Sequence, residues 1–556
     1  SQVKILTRVF DKDIRRGLQE AGIPILAYED LDDTQKTFCH DYFKSSVAPV
    51  LTPLAVDASH PFPFISNLGL NLAIEIPLPI ENTKRFVRLK VPNNRPRWTP
   101  LPNGSGFVPL EQIIAAHLNE LFPEIKNFDV YFFRVTRGAE GDRDDSLDLN
   151  EDYGAQSWEP GGIIKQVTNE LRARRFAGVV RLQVNPSMPE RLRTWLGQQL
   201  DIDPDDIYET PHPLSIKELN ELKVEGYRQL RFPTYKPVTH PRLKITQNSD
   251  PTPIFNQIKK GDILLHHPYH SFTTSVLRFL EEAALDPQVL AIKLTIYRTS
   301  EDSPIVKALA DAARRGKQVA VVVEVTARFD EAPNIAWGKY LEESGAHVAY
   351  GVEEFKTHVK LALVVREEKG RIKRYLHIGT GNYHTGTARI YEDLGLITCD
   401  ESLCDDANSV FNELTGATPF EKYRKMLVAP HNMRRRFTEL IQREAENARQ
   451  GKPSGIRAKM NQLQDPEIIR ELYLASQAGV PIVLIVRGLC CLRPGVPGLS
   501  ENIRVCSVLG RFLEHSRIYC FENAGDPGYY IGSADWMRRN LNERVETITP
   551  VDTESL

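Results

Sequence analysis

The chain has 556 residues, of which 41% are hydrophobic and 26% are charged, and its formal net charge is −3. This length predicts three or four domains, and this composition is typical of a globular protein without membrane helices, which need ~20 consecutive apolar residues. The charge balance excludes a uniformly basic protein, so we expect no nucleic-acid partner and place any anion site in a local cluster of basic side chains.

The seven cysteines show no paired C-x-x-C spacing. This pattern argues against a zinc site and against the disulfide framework of a secreted protein. No signal-peptide pattern opens the sequence either. Both features predict a cytoplasmic location.

Short helices open the chain, and a mixed pattern of helices and strands follows. Helical patterns cover residues 12–23 and 31–47, and residues 51–76 have the composition of strands. The mixed pattern ends in the proline-rich stretch 232–243, which is typical of a linker.

From about residue 244 predicted helices alternate with apolar strands, which indicates an α/β sandwich. Two predicted helices cover residues 303–317 and 334–346. The predicted strands between and after them are 291–298, 318–325, 347–352, 358–365 and 374–380.

A second copy of this pattern begins after about residue 421. It contains a predicted helix at 465–480 and predicted strands at 481–488, 515–523 and 529–536. The two copies share a histidine, a basic residue two positions later, a turn of small residues and then a carboxylate. In the first copy these are His358, Lys360, "GTGN" (379–382) and Asp393; in the second they are His515, Arg517, "GSAD" (532–535) and Glu546.

The first histidine lies in "HVKLALVV", which has the composition of a buried strand. Alternation along a strand would place His358 and Lys360 on one face. Imidazole can attack phosphorus, and a neighbouring lysine can hold phosphate oxygens, so this pair predicts a phosphate site. If the two copies pack face to face, one histidine attacks and the other protonates the leaving oxygen.

The repeated pattern resembles the phospholipase D superfamily, whose mark is H-x-K-x4-D followed by G-[ST]-x-N. Val365 stands at the aspartate position of the first copy, and Arg517 and Glu522 replace lysine and aspartate in the second. Longer blocks resemble the bacterial polyphosphate kinases that synthesise long chains. These blocks include "LLHHPYHSF", "IKLTIYRTS", "VEVTARFDE", "LHIGTGNYHTGTARIYEDLGL" and "LEHSRIYCFENAGDPGYYIGSADWMRRNLNERVE".

This resemblance implies an α/β (α+β overall) fold with two phospholipase D-like repeats at the C-terminal side. It implies four domains: a partial N-terminal helical domain at 1–46, a head domain at 47–238, and two C-terminal domains at 239–420 and 421–556, the last one truncated. It also leads us to expect a trimmed chain that lacks the adenine-contacting N-terminal segment, so no adenine contact is named.

The resemblance also implies the activity, which is reversible transfer of the γ-phosphoryl group of ATP to polyphosphate. Residue by residue, it makes His358 the phosphohistidine, His515 the acid across the site and Asp393 the carboxylate that supports the nucleophile. Four further residues fall on nucleotide- or phosphate-binding positions: Tyr391, Arg487, Arg544 and Lys360.

Magnesium is the implied cofactor, and Arg298 and Arg328 match positions that the family associates with it. A guanidinium has no lone pair to give to a metal, so we expect both arginines to bind the phosphate oxygens that magnesium also binds. The implied partners are ATP or ADP and polyphosphate. The family also implies a homo-oligomer (dimer or tetramer) and peripheral association with the inner membrane.

Two other classes of function stay open at this point. A phosphodiesterase that acts on lipid or nucleic acid would use the same two histidines. A polyanion-binding module without catalysis would be consistent with Val365, although intact His358, His515 and Asp393 argue against it.

Overall fold

The computed structural model describes residues 2–57, 59–78, 84–125, 127–138, 178–211, 214–222, 227–245, 253–297, 303–324, 331–351, 355–416 and 422–552. These residues form two compact units. The first unit contains the described residues up to Arg231, and the second contains those from Phe232 onward. Among the described helices, none combines the length and the apolar character needed to cross a membrane.

The first unit is built on a mixed sheet with the strand order β1-β3-β2-β6-β7-β8 and a separate β4–β5 pair. Its strands are β1 (Leu54–Val56), β2 (Leu70–Pro77), β3 (Lys84–Lys90), β4 (Trp98–Pro100), β5 (Phe107–Pro109), β6 (Asp129–Arg137), β7 (Val179–Val184) and β8 (Ile207–Glu209). Its described helices are α1 (Gln2–Arg8), α2 (Arg15–Glu20), α3 (Asp33–Tyr42), α4 (Leu110–Ala116), α5 (Leu118–Leu121) and α6 (Glu190–Gln199).

Both faces of this sheet are buried because its strands alternate between two hydrophobic cores. Leu72 and Ile74 of β2 belong to the core that includes residues of α3 and α4. Ala73, between them, belongs to the opposite core, which includes residues of α6. The helices predicted at 12–23 and 31–47 are present, with α-helical parts at α2 and α3. The helix α3 begins with a capping box in which Asp32 and Gln35 bond each other's backbone.

The first repeat of the second unit forms a sheet with the order β12-β11-β10-β14-β15-β16, and β9 lies beside β16. Its strands are β9 (Ile263–His267), β10 (Val289–Ile296), β11 (Gln318–Val323), β12 (His347–Ala349), β13 (Lys356–Thr357), β14 (Leu361–Glu368), β15 (Arg371–Gly379) and β16 (Tyr391–Thr398). Its helices are α7 (Ile254–Ile258), α8 (Arg278–Leu285), α9 (Pro304–Arg314), α10 (Glu331–Glu343) and α11 (Glu401–Leu414).

The second repeat has the same topology, with the order β20-β19-β18-β22-β23-β24 and with β17 beside β24. Its strands are β17 (Leu427–Ala429), β18 (Ile456–Met460), β19 (Ile482–Val486), β20 (Ile503–Cys506), β21 (Leu513–Glu514), β22 (Ile518–Phe521), β23 (Gly528–Gly532) and β24 (Arg544–Pro550). Its helices are α12 (Met433–Arg449), α13 (Pro466–Gln477) and α14 (Arg538–Asn542). The internal repeat predicted from the sequence is confirmed.

Two short strands leave their own repeat and pair with the other one. The strand β13 of the first repeat pairs in parallel with β24 of the second. In the same way, β21 of the second repeat pairs in parallel with β16 of the first. The two repeats are therefore joined by backbone hydrogen bonds through their last strands.

The predicted strand at 358–365 is only partly correct. The strand β14 begins at Leu361, so His358 and Lys360 lie in the link between β13 and β14. The expectation that they alternate along one strand is wrong, because the chain leaves the sheet of the second repeat at Thr357 before it enters its own sheet.

Candidate active site

The exchanged strands β13 and β21 determine the positions of His358 and His515. Thr357 of β13 pairs with Val545 of β24, and the backbone N–H of His358 donates to the Val545 carbonyl at 3.0 Å. In the second repeat, the backbone N–H of His515 donates to the carbonyl of Glu392 on β16 at 3.1 Å. Each histidine is thus fixed by the last strand of the repeat to which it does not belong.

Each imidazole is held by a carboxylate from the other repeat. The Nδ1 of His358 lies 2.8 Å from Oε2 of Glu546, and the Nδ1 of His515 lies 2.7 Å from Oδ1 of Asp393. The expectation that Asp393 supports His358 is therefore wrong. The strand exchange explains the difference, because it brings each histidine beside the strand that carries the other repeat's acid.

The turns of small residues each orient one charged side chain beside His515. In the first repeat, the hydroxyl of Thr380 donates to Oδ1 of Asp393 at 2.6 Å. In the second, Asp535 of the turn accepts from the guanidinium of Arg517 at 3.1 and 3.2 Å. A carboxylate with a second donor keeps its orientation, and so fixes the imidazole that it contacts.

Both basic residues of the repeated pattern lie beside a histidine. The ammonium group of Lys360 donates to the carbonyl of His358 and lies 5.1 Å from the ring centre of Tyr297. The Nη1 of Arg517 lies 3.2 Å from Nε2 of His515. A guanidinium can only donate, so the Nε2 of His515 is an acceptor and its proton is on Nδ1, facing Asp393.

Burial keeps both imidazoles neutral. Burial lowers the pKa of His358 well below its usual 6.5, and the charges of Lys360 and Arg544 lower it further. Burial also lowers the pKa of His515, although the carboxylate of Asp393 acts in the opposite direction. A neutral imidazole whose Nδ1 proton is held by a carboxylate has its lone pair on Nε2, as a nucleophile requires.

Two charged neighbours titrate near neutrality. Burial raises the pKa of Glu546 to about 7, despite the opposing charges of Lys360 and Arg544. Burial lowers the pKa of Lys360 to about 7, although Glu546 raises it. The site therefore gains or loses charge within the physiological pH range.

Three further predicted residues reach the same site. The ring centre of Tyr391 lies 5.1 Å from that of His515. The Nη1 of Arg544 lies 3.8 Å from Oε1 of Glu546. Arg487 follows β19, and its Nη1 is buried without a hydrogen-bond partner among the described residues.

The magnesium-associated positions Arg298 and Arg328 lie outside the described residues. Within the described part of the chain, no three His, Cys, Asp or Glu side chains are grouped so that they could hold a metal ion. Asp393 and Glu546 are each bonded to a histidine. The described residues therefore do not form a magnesium site made of protein ligands alone.

Two residues at the site were not predicted from the sequence. The ring of Tyr297 meets His358 edge to face, with 4.9 Å between ring centres, and Oε2 of Glu324 accepts from the backbone N–H of Thr357 at 2.5 Å. Both directly follow buried parallel strands, β10 and β11, where α/β sheets place ligand contacts. That position is the signal that could have identified them.

A third unpredicted residue, Lys459, links the two repeats. Its ammonium group lies 2.6 Å from Oε2 of Glu392 and 3.0 Å from Oε2 of Glu514. Glu392 also accepts from the hydroxyl of Ser516 at 2.6 Å and contacts Nε2 of His266 at 2.7 Å. This cluster surrounds the contact between β16 and β21, and so it fixes the backbone on either side of His515.

Comparisons with known proteins give a consistent result. Three family profiles match the chain: "Polyphosphate kinase middle domain" at residues 34–222, "Polyphosphate kinase C-terminal domain 1" at 253–419 and "Polyphosphate kinase C-terminal domain 2" at 426–556. The polyphosphate kinase of Thermosynechococcus vestitus is 47% identical, over 99% of this chain and 77% of that protein. The Streptomyces coelicolor enzyme is 45% identical, over 98% of this chain and 71% of that protein.

A solved structure is also similar over the whole chain. The crystal structure of polyphosphate kinase from Porphyromonas gingivalis aligns with a TM-score of 0.84 and 32% sequence identity. The alignment covers 100% of this chain and 80% of that one.

Proposed function

The chain belongs to the polyphosphate kinase family and is a phosphoryl-transferring enzyme; on that premise we propose that His358 carries the phosphoryl group between ATP and polyphosphate. One observation carries the proposal. The imidazole of His358 is buried, neutral and bonded through Nδ1 to Glu546, which leaves Nε2 as the nucleophilic atom.

In the first step, the Nε2 lone pair attacks the γ-phosphorus, and the bond from that phosphorus to the β,γ-bridging oxygen breaks. ADP leaves with the electron pair of this bond. The positive charge on the ring is balanced by Glu546 across Nδ1. In the second step, a terminal oxygen of polyphosphate attacks the same phosphorus, the P–Nε2 bond breaks and the chain grows by one unit.

The same steps in reverse regenerate ATP, because the phosphohistidine can pass its group to either acceptor. Reversibility is therefore part of the proposal.

His515 and Arg517 would receive the leaving group on the other side of the phosphorus. The N–H of Arg517 points at the lone pair of His515. A phosphate dianion raises the pKa of a neighbouring imidazole. His515 would then take a proton on Nε2 and donate it to a phosphate oxygen, while Arg517 turns its N–H to the same phosphate.

The remaining positive charge would neutralise and position the phosphates, which is most of what catalysis of phosphoryl transfer requires. Lys360 and Arg544 lie on the Glu546 side of the site, and Arg487 has an unpartnered buried nitrogen. We assign phosphate oxygens to these three groups. Tyr391, packed against His515, would contact the nucleotide.

Magnesium would enter as part of the substrate, bound to the phosphates of ATP. This assignment agrees with the lack of a protein-only ligand cluster among the described residues. The roles of Arg298 and Arg328 remain those that the family resemblance implies, as contacts to the phosphate oxygens that the ion also binds.

The family further leads us to propose a cytoplasmic homo-oligomer, a dimer or tetramer, with peripheral inner-membrane association as the alternative location. Sedimentation analysis of the purified chain and fractionation of cells test these two statements separately.

Labelling with [γ-³²P]ATP tests the phosphohistidine. We expect acid-labile, base-stable label on the protein, no label from [α-³²P]ATP and no label on His358→Ala. The His515→Ala variant should still take up label, although slowly, because it retains His358. Equal labelling of His358→Ala and the unmodified protein would remove His358 from this role.

A further inference from the structure

The first unit has a surface cavity of about 290 Å³ at the edge of its sheet. The strand β3 contributes Arg88 and Lys90 to its wall, and the neighbouring loops contribute Thr52, Asn93 and Asn94. None of the described residues that line the cavity is acidic. The cavity therefore combines basic and polar side chains with three apolar ones, in a protein whose net charge is −3.

Arg88 is a buried cation, and the described residues offer it no counter-charge. Only 7% of the residue is exposed, and its Nε donates to Oδ1 of Asn71 at 2.8 Å. Among the described residues its two terminal nitrogens have neither a hydrogen-bond partner nor a carboxylate within ion-pair distance. Burial lowers the pKa of Arg88, and no neighbouring carboxylate offsets that effect.

The orientation of Arg88 is fixed by a second buried side chain. Asn71 is fully buried, and its amide donates to the carbonyl of Gly69 at 2.8 Å. The amide oxygen is thereby aimed at Nε of Arg88. The terminal nitrogens of the fork are left for a ligand, because Arg88 lines the cavity and a buried cation needs an anionic partner.

Lys90 supplies a second positive charge in the same direction. It stands two positions after Arg88 on β3, so alternation places both side chains on one face of the sheet. Within the described part of the chain, Lys90 has no ion-pair partner. A guanidinium fork beside an ammonium group matches the geometry and the double charge of a phosphate better than those of a single carboxylate.

We propose that this cavity is an anion site for a phosphoryl oxyanion, either orthophosphate or a segment of a polyphosphate chain, with Arg88 as its bidentate donor and Lys90 as its second cation. The site is built from residues of the first unit, whereas both histidines belong to the second. The proposal goes beyond the phosphotransfer function and does not depend on the identity of the nucleophile.

Isothermal titration calorimetry of the phosphate-free full chain tests it, with tripolyphosphate in one arm and orthophosphate in the other. We expect two classes of tripolyphosphate site in the unmodified protein. Arg88→Met should lose one class, and Lys90→Met should weaken the same class about tenfold or more, since charge-assisted hydrogen bonds are lost. If Arg88→Met does not fold, the partly exposed Lys90→Met decides the question.

Arg85→Met is the matched control. Arg85 lies on the same strand but on its other face, is exposed, and stands 4.0 Å from Asp57. It should leave both classes of site unchanged. Competition by orthophosphate assigns the site to a single phosphate, and binding of tripolyphosphate alone assigns it to a chain segment. Identical isotherms for Arg88→Met and the unmodified protein, or equal weakening by Arg85→Met, would overturn the proposal.

Discussion

At the scale of single residues, the two histidines differ in what surrounds Nε2. The Nε2 of His515 is already occupied by an N–H of Arg517 at 3.2 Å. The ammonium group of Lys360 is instead directed to the backbone carbonyl of His358. This asymmetry favours His358 as the attacking residue and His515 as the residue that receives the leaving group.

The pKa of Glu546, raised to about 7, predicts the acid limb of the pH profile. Below that pH the carboxylate takes a proton and no longer balances the charge that forms on His358. His358 cannot cause this limb, because its own pKa lies well below 6.5. Glu546→Gln should lower kcat/KM about 10- to 100-fold and remove the acid limb, since an amide does not titrate there.

The profile of kcat/KM between about pH 5 and 9 measures this effect, because it reports groups of the free enzyme. Asp393→Asn is the matched control. It should slow the reaction but keep the limb, and an unchanged limb in Glu546→Gln would refute the assignment.

The pKa of Lys360, lowered to about 7, predicts the basic limb. Above that pH the ammonium group loses its proton, and with it the charge that neutralises phosphate. Lys360→Arg should keep a permanent cation and remove the basic limb, as Arg517 stands at the matching position of the second repeat. Lys360→Met should lower kcat/KM about 100-fold at all pH values. A basic limb that persists in both variants would contradict this role.

At the scale of elements, the short strands β13 and β21 decide the geometry of the site. Sequence patterns predict the long helices and strands of both repeats, such as α9, α13, β10 and β19, because periodicity and apolar runs identify them. The same patterns could not predict a two-residue strand that pairs with another repeat. For this reason the two histidines and their carboxylates could be found from the sequence, but the pairing of Asp393 with His515 and of Glu546 with His358 could not.

Glu324 anchors β13 and gives a prediction at this scale. It is 3% exposed and accepts from the N–H of Thr357, directly before the proposed nucleophile His358. Glu324→Ala leaves that buried donor without its acceptor, at a cost of about 1–3 kcal/mol. We expect phosphohistidine formation to slow about tenfold or more, measured by rapid quench with labelled ATP.

Glu324→Gln is the control, because its amide oxygen can still accept from Thr357. It should label at nearly the normal rate. Loss of unfolding free energy in Glu324→Ala without any change in labelling rate would show that this contact does not position His358.

At the scale of the whole molecule, the two repeats of the second unit are held together through the candidate active site. The exchanged strands join the two repeats. The Lys459–Glu392 ion pair at 2.6 Å and both histidine–carboxylate pairs also cross between them. A substitution that weakens the contact between the repeats is therefore expected to lower the activity as well.

Lys459→Met tests this coupling. It removes the cation opposite Glu392, which is 6% exposed, and breaking a buried pair costs up to about 3–5 kcal/mol. We expect lower unfolding free energy in urea together with loss of activity, and partial recovery of stability in the double variant Lys459→Met/Glu392→Gln.

Lys425→Met is the matched control in the same unit. Lys425 pairs with Asp400 and Asp552 at 3.1 and 3.2 Å, but its side chain is 34% exposed. Exposed pairs contribute at most about 1 kcal/mol, so this variant should remain stable and active. Equal loss of unfolding free energy in the two lysine variants would contradict the role of Lys459 in joining the two repeats.

The proposed mechanism is tested most directly by identifying the phosphorylated residue itself. The full chain is mixed with magnesium and ATP, quenched in base within its first turnover and digested, and the peptides are sequenced by tandem mass spectrometry. The account predicts a single phosphorylated histidine, His358, whose modification appears before polyphosphate and disappears when ADP is added. Phosphate on His515 instead, or polyphosphate formed while His358 stays unmodified, would contradict it.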